Sequence, residues 1–207
     1  MPLSLWLAFT AATIVLLLIP GPTVLLVVSY ALGQGWRTAL PMAVGVALGD
    51  FTAMTLSMLG VGALLAASAT VFTVLKWIGA AYLVWLGIRL WRAGGALRAE
   101  PRSTAASAAK MLGHAWLVTA LNPKGLTFFV AFVPQFLSPE ANFWTQMVVL
   151  EATFVTLAFV NVLAYAALAA RAGGLVKYPR AVGVVIKIGG SCLIGAGLAA
   201  ATFRASQ

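Results

Sequence analysis

Charge is what this chain has least of. No Asp, Glu, Lys, Arg or His occurs from Met1 to Trp36, and charged residues make up 8% of the 207. Soluble domains carry about a quarter, so a soluble globular fold is excluded. Acids are scarcest, with only Asp50, Glu100, Glu140 and Glu151. A single cysteine, Cys192, excludes an intramolecular disulfide. One histidine, His114, and no His/Glu cluster leave no material for metal chemistry or a nucleophile–base pair, so neither an enzyme nor a cofactor is expected. No Gly-x-x-x-x-Gly-Lys-Ser/Thr loop is present, which excludes nucleotide hydrolysis by that route. The first apolar run lacks a basic n-region and continues through Pro20-Gly21-Pro22, which predicts a retained helix rather than a signal peptide.

Apolar residues fill the space that charge leaves: 62% of the chain is hydrophobic, with a mean hydropathy of +1.02. A helix needs about 20 apolar residues to cross the roughly 30 Å hydrocarbon core. Six stretches meet that length, approximately 4–32, 39–66, 70–91, 113–137, 143–169 and 181–203. They leave no room for a separate soluble domain, so residues 1–207 are expected to form a single all-α transmembrane domain. The net charge of +9 would point to nucleic acid in a soluble protein. Here the basic residues sit instead in short connections, with no basic face on any helix. The connections after spans 1, 3 and 5 hold Arg37, then Arg89, Arg92, Arg98, Arg102 and Lys110, then Arg171, Lys177 and Arg180, against Arg204 alone on the other side. Basic loops stay in the cytoplasm, so both termini are expected outside. The 92–112 connection, long and rich in Ala and Ser, reads as a flexible cytoplasmic loop between two halves, 1–91 and 113–207.

Five of the apolar stretches carry an isolated ionisable residue: Asp50, Lys76, Lys124, Glu151 and Lys187. Each costs about 2.5–3.5 kcal/mol at a bilayer centre on insertion scales, which calls for a partner or a polar site. This is the signature of a transporter.

The second half echoes the first. Pro22 and Pro123 are 101 positions apart, as are Asp50 and Glu151, while Lys76 and Lys187 are each followed three residues on by a glycine, Gly79 and Gly190. Three spans per half force opposite orientations, giving two inverted three-helix repeats. Such repeats place substrate and ion sites near the midplane, at corresponding helix breaks. The breaks here are Pro20-Gly21-Pro22 in span 1 and Asn122-Pro123-Lys124-Gly125 in span 4. Each proline removes a backbone donor and clashes with the turn before it. The helix start after each break offers N–H groups and a positive dipole end, suited to a carboxylate. At about 1.5 Å per residue, both breaks, Asp50 and Glu151 come out at mid-membrane. Asp50 is expected to face inward near the breaks, and the breaks to approach one another.

Every one of these residues also has a structural reading. Asp50 serves either as a proton or ammonium site or as a carboxylate paired with a lysine. Gly45 and Gly49, four apart, allow a close helix approach beside it. Glu151 occupies the matching position without the glycines. Lys124 either pairs a substrate carboxylate or neutralises Asp50, and Asn122 either contributes to a site or caps the broken helix. Lys76 and Lys187 lie near helix ends, where snorkelling accounts for them. His114 reads as interfacial, Trp77, Tyr82, Trp85 and Trp91 as packing or interface anchors, and Gln135 and Asn161 as weak pathway candidates.

Taken in order, Pro20-Gly21-Pro22, Gly45-x-x-x-Gly49-Asp50 and the run from Gly79 to Gly87 (Gly-Ala-Ala-Tyr-Leu-Val-Trp-Leu-Gly) resemble the lysine-exporter (LysE-type) family. Asn122-Pro123-Lys124, Phe128-Phe129 and Pro134-Gln135-Phe136 resemble the fourth-helix signature of its homoserine/threonine and leucine exporter branch. The resemblance covers essentially the whole chain, although Lys187-Ile188-Gly189-Gly190 in the last span matches no motif. It implies multi-pass insertion in the bacterial inner membrane and ion-driven export of amino acids or similar metabolites.

The resulting expectation is a secondary exporter with proton antiport. The substrate carboxylate would lie at Pro20, Gly21, Pro22, Thr23, Pro123 and Lys124, with its ammonium at Asp50 and Glu151. Asn122 belongs to the same site, while Gly45, Gly49 and Gly79 serve packing. The expected partners are a small amino-acid-like substrate, a coupling proton and the bilayer, without nucleic acid, and a homo-oligomer stays open. The rival class is a small-cation or metal-ion exporter or channel. Two intramembrane carboxylates against three lysines favour a zwitterion over a bare cation.

Overall fold

The structure, a computed structural model, describes residues 1–67, 106–138 and 140–171, with single positions between 74 and 92 and between 191 and 198. Most of the third and sixth spans and of the 92–112 connection, with Lys76, Gly79 and Lys187, lie outside the described residues. Among the described residues all regular structure is helical. Helix α1 runs Leu3–Leu18 and α2 Pro22–Gln34, followed by a 3-10 turn, Trp36–Thr38, that leads into α3, Ala39–Ala67. Helix α4 runs Ala108–Ala120 and α5 Pro123–Thr127, continued by a π turn, Phe128–Phe132, and a 3-10 turn, Val133–Phe136; α6 is Phe143–Arg171.

Two described segments, Trp36–Gly60 and Phe143–Arg171, are long and apolar enough to cross a membrane singly. Two more qualify as bent pairs: α1 with α2, turned by 53°, and α4 with Pro123–Phe136, turned by 41°. The prolines explain the bends, since each starts the second helix of its pair at the position where a missing N–H does no harm. Gly35 ends α2 at φ 73° and ψ −163°, a backbone region open mainly to glycine, and its N–H closes on the Ala31 carbonyl. Helix α4 starts at Ala108, five residues before the expected 113. Ser107 caps it by accepting the Lys110 N–H, so the end of the expected loop is helical.

Helix α3 packs along α4 and α6. A Cβ at Gly45 would lie 2.4 Å from the Leu112 carbonyl oxygen, and one at Gly49 2.7 Å from Thr119 Cβ. The two glycines thus let the α3 and α4 backbones nearly touch, as small residues do between membrane helices. Two indoles link the halves reciprocally. Trp6 on α1 donates to Thr153 on α6 at 3.0 Å, and Trp116 on α4 donates to Thr52 on α3 at 3.2 Å. Thr52 and Thr153 each follow an intramembrane carboxylate by two residues, and each bonds back to its own helix at 2.7 Å.

The buried apolar side chains form two clusters. One gathers Phe9, Leu16, Met54, Phe128, Phe129, Leu150 and Phe154. The other gathers Val27, Tyr30, Met42, Val46, Ala115, Val162 and Ala166. Along each of the four described spans the chain passes from one cluster to the other through a short interval holding polar residues. These intervals are Ile19–Thr23, Asp50, Thr119–Lys124 and Asn161, and together they form a polar layer between two apolar cores.

Candidate functional site

The first break exposes the last four carbonyls of α1. In a continuous helix, Leu16 and Leu18 would accept from residues 20 and 22, but both are proline and have no N–H. Leu17 and Ile19 lose their partners because the chain leaves the helix at Ile19, which is extended (φ −79°, ψ 116°). Uncapped carbonyls in hydrocarbon cost several kcal/mol each, so they need donors from elsewhere.

The second half of the chain supplies those donors. Lys124 Nζ donates to the Leu16 oxygen at 3.0 Å and to the Ile19 oxygen at 2.8 Å. Asn161 Nδ2 donates to the Leu17 oxygen at 3.2 Å, and the Tyr165 hydroxyl to the Leu18 oxygen at 2.9 Å. All four carbonyls are met by side chains, that of Leu16 also accepting the Ile19 N–H at 3.2 Å, and the charged donor sits at the negative end of the helix dipole. Lys124 lies beside Gly21, where an added Cβ would be 3.5 Å from its ammonium.

The second break closes locally. The Asn122 N–H bonds the Thr119 carbonyl at 3.0 Å, replacing the bond that Pro123 cannot make. Asn122 Oδ1 then caps α5 by accepting the Lys124 N–H at 3.1 Å. Its amide Nδ2 crosses to Thr23 Oγ1 at 3.0 Å, and that hydroxyl lies 3.3 Å from Thr119 Oγ1. The two breaks therefore meet in a chain of polar contacts, with Pro20, Gly21, Pro22, Thr23, Asn122, Pro123 and Lys124 gathered at one place.

Asp50 is 7% exposed and lies on α3 between the two apolar clusters. Among the described residues its carboxylate accepts no hydrogen bond and has no cation within 4 Å, although Lys124 is close enough to act on it electrostatically. Glu151 stands apart from the breaks. Its carboxylate accepts from Thr55 Oγ1 at 2.5 Å. Thr55 is five residues beyond Asp50, so Glu151 meets α3 about 7.5 Å further along the helix axis.

Sequence reasoning offered Lys124 a substrate carboxylate or Asp50 as its partner; its ammonium donates to backbone oxygens and also acts electrostatically on Asp50. Asn161 enters as a cap on α1, whereas Gln135 bonds the Ala131 carbonyl of its own element at 2.8 Å. Thr119 and Tyr165 were missed. The spacing of Asn161 and Tyr165, four apart on the otherwise apolar second half of α6, was the available signal for Tyr165. Thr119 carried a weaker one, three residues before Asn122.

Bent apolar helices that meet in a buried polar layer are the architecture of a membrane translocator. The chain belongs to the LysE type translocator family, whose profile matches residues 14–203. It is 39% identical to an uncharacterized membrane protein of Vibrio cholerae over 205 residues, covering 99% of this chain and 100% of that one. It is 33% identical to the homoserine/homoserine lactone efflux protein of Salmonella typhimurium over 198 residues, covering 95% and 96%. A leucine efflux protein of Enterobacter sp. is 32% identical over 168 residues, covering 76% and 75%. No solved structure matches the chain.

Proposed function

We propose that the chain is a secondary exporter of amino acids or amino-acid-like metabolites across the bacterial cytoplasmic membrane, working by proton antiport. The observation that carries this reading is the buried carboxylate of Asp50, which accepts no hydrogen bond among the described residues, beside the junction of two broken helices. A charge so placed is expensive without a ligand, and a substrate ammonium supplies one. The substrate carboxylate would take the free N–H groups at the start of α2, near Gly21 and Thr23, with Lys124 at hand. The family membership and the efflux relatives support the direction of transport and the amino-acid class.

A proton reaching Asp50 from outside would displace the substrate ammonium, and Glu151 of α6, which meets α3 further along at Thr55, would be a step on that route. The reciprocal Trp–Thr links and the 101-residue correspondence support two inverted repeats that rock about the polar layer. Basic connections support cytoplasmic loops after spans 1, 3 and 5 and external termini. The buried ammonium of Lys124 in the same layer weighs against a bare cation as cargo. A resistance screen tests the function. Overexpression should relieve the toxicity of homoserine, threonine, leucine or their analogues and not that of metal salts; relief confined to metal salts would reverse the assignment.

A further inference from the structure

We propose that the cut end of α1 is a binding site for a primary ammonium group, which Lys124 fills in this conformation. The site has defined acceptors. Two of the four freed carbonyls, those of Leu17 and Leu18, are taken by Asn161 and Tyr165 from α6. The other two, Leu16 and Ile19, converge on a single nitrogen, at 3.0 and 2.8 Å. Asn161 and Tyr165 are positioning residues here: they hold the broken turn so that one pair of oxygens stays directed at one cation.

The acceptor set selects the ligand chemistry. Two neutral oxygens are too few for calcium, which takes six to eight oxygen ligands. They suit a cation that brings its own N–H donors, of which an ammonium carries three. A quaternary ammonium has none. The helix dipole adds its negative end, and burial (Lys124 is 8% exposed) strengthens both terms.

The consequence for transport rests on the function proposed above. Lys124 cannot swing toward a substrate carboxylate without leaving the Ile19 carbonyl bare and the Leu16 carbonyl with only the Ile19 N–H. A substrate bearing a primary ammonium can take its place in transit to or from Asp50, which frees Lys124 for the substrate carboxylate, so the carrier would favour amino acids over simple carboxylic acids and over N-quaternised analogues.

The site is tested without any transport. Lys124→Ala empties it, and Lys124→Gln refills it with a neutral amide donor. Each variant, with the wild type, is expressed and purified with and without millimolar ethylammonium or tetramethylammonium. Ethylammonium should raise the yield of folded Lys124→Ala and lift its Tm by about 2–4 °C, the shift expected of specific binding to a chain this size. It should leave wild type and Lys124→Gln unmoved, and tetramethylammonium should do nothing. Lys124→Ala that gains neither yield nor Tm from ethylammonium, or a gain equal in all three proteins, overturns the site. Because no substrate is involved, that failure is distinguishable from a failure to find amino-acid export.

Discussion

Asn122 Nδ2 donates to Thr23 Oγ1 at 3.0 Å, a bond between residues 99 apart in the chain that helps join the two helix breaks. Asn122 also caps α5, so its two polar atoms do different work: one starts a helix locally, the other ties the halves together.

That division separates two variants. Thr23→Val keeps the shape and removes the hydroxyl, leaving the Asn122 amide short of an acceptor at about 1–3 kcal/mol and Thr119 without its Thr23 contact. Asn122→Ala removes the cap as well, which by itself is worth about 0.5–2 kcal/mol. Thermal melts should show Asn122→Ala as the less stable, and the double variant should be less destabilised than the sum by about 0.5–3 kcal/mol. Strict additivity would mean that the bond does not couple the breaks.

The α3–α4 contact gives a prediction with internal controls. Gly45→Ala and Gly49→Ala place a Cβ within 3 Å of α4 atoms, two of them backbone oxygens. Such overpacking costs about 1–3 kcal/mol. A Cβ at Gly60 or Gly113 meets nothing within 4 Å, so those alanines should be neutral or stabilising by about 0.5–1 kcal/mol. Equal effects at all four positions would remove close packing as the reason for Gly45 and Gly49.

The bends and the polar residues at them were legible in the sequence because proline chemistry is local. Pro22 and Pro123 announce a lost donor whatever surrounds them, and the described helices follow the expected spans closely. The partners were not legible. Lys124 donates to carbonyls more than a hundred residues away, and nothing in a sequence says which backbone oxygens a bend will leave bare. Reasoning from charge alone sought a carboxylate for that ammonium. Tyr165 was passed over for a related reason: a tyrosine on an apolar helix reads as packing until its hydroxyl is seen to close a turn.

Orientation has its own test. On a Cys192→Ala background, Ser103→Cys should be shielded from membrane-impermeant thiol reagents in intact cells, and Ala141→Cys should label. The charge bias of the loops sets this expectation; the opposite labelling pattern would invert the topology.

Thr13 offers a check on what else the layer uses. Its hydroxyl is fully buried and, among the described residues, is the buried side-chain atom left without a hydrogen-bond partner. Thr13→Val should hold or raise Tm by relieving an unmet donor, worth about 1–3 kcal/mol. Transport should be unaffected. A marked loss of transport at unchanged stability would place Thr13 on the path of substrate or proton.

The role of Asp50 is tested most directly in liposomes containing the purified protein, made acid inside and alkaline outside. Antiport drives substrate toward the acid compartment, so radiolabelled homoserine or leucine should accumulate inside above its external concentration. Asp50→Asn should lower that accumulation roughly tenfold or more, a loss of at least about 1.4 kcal/mol of driving interaction, while the variant still inserts and folds. Accumulation by Asp50→Asn equal to wild type, or no gradient-driven accumulation of any amino acid by the wild type, would contradict proton-coupled amino-acid export through Asp50.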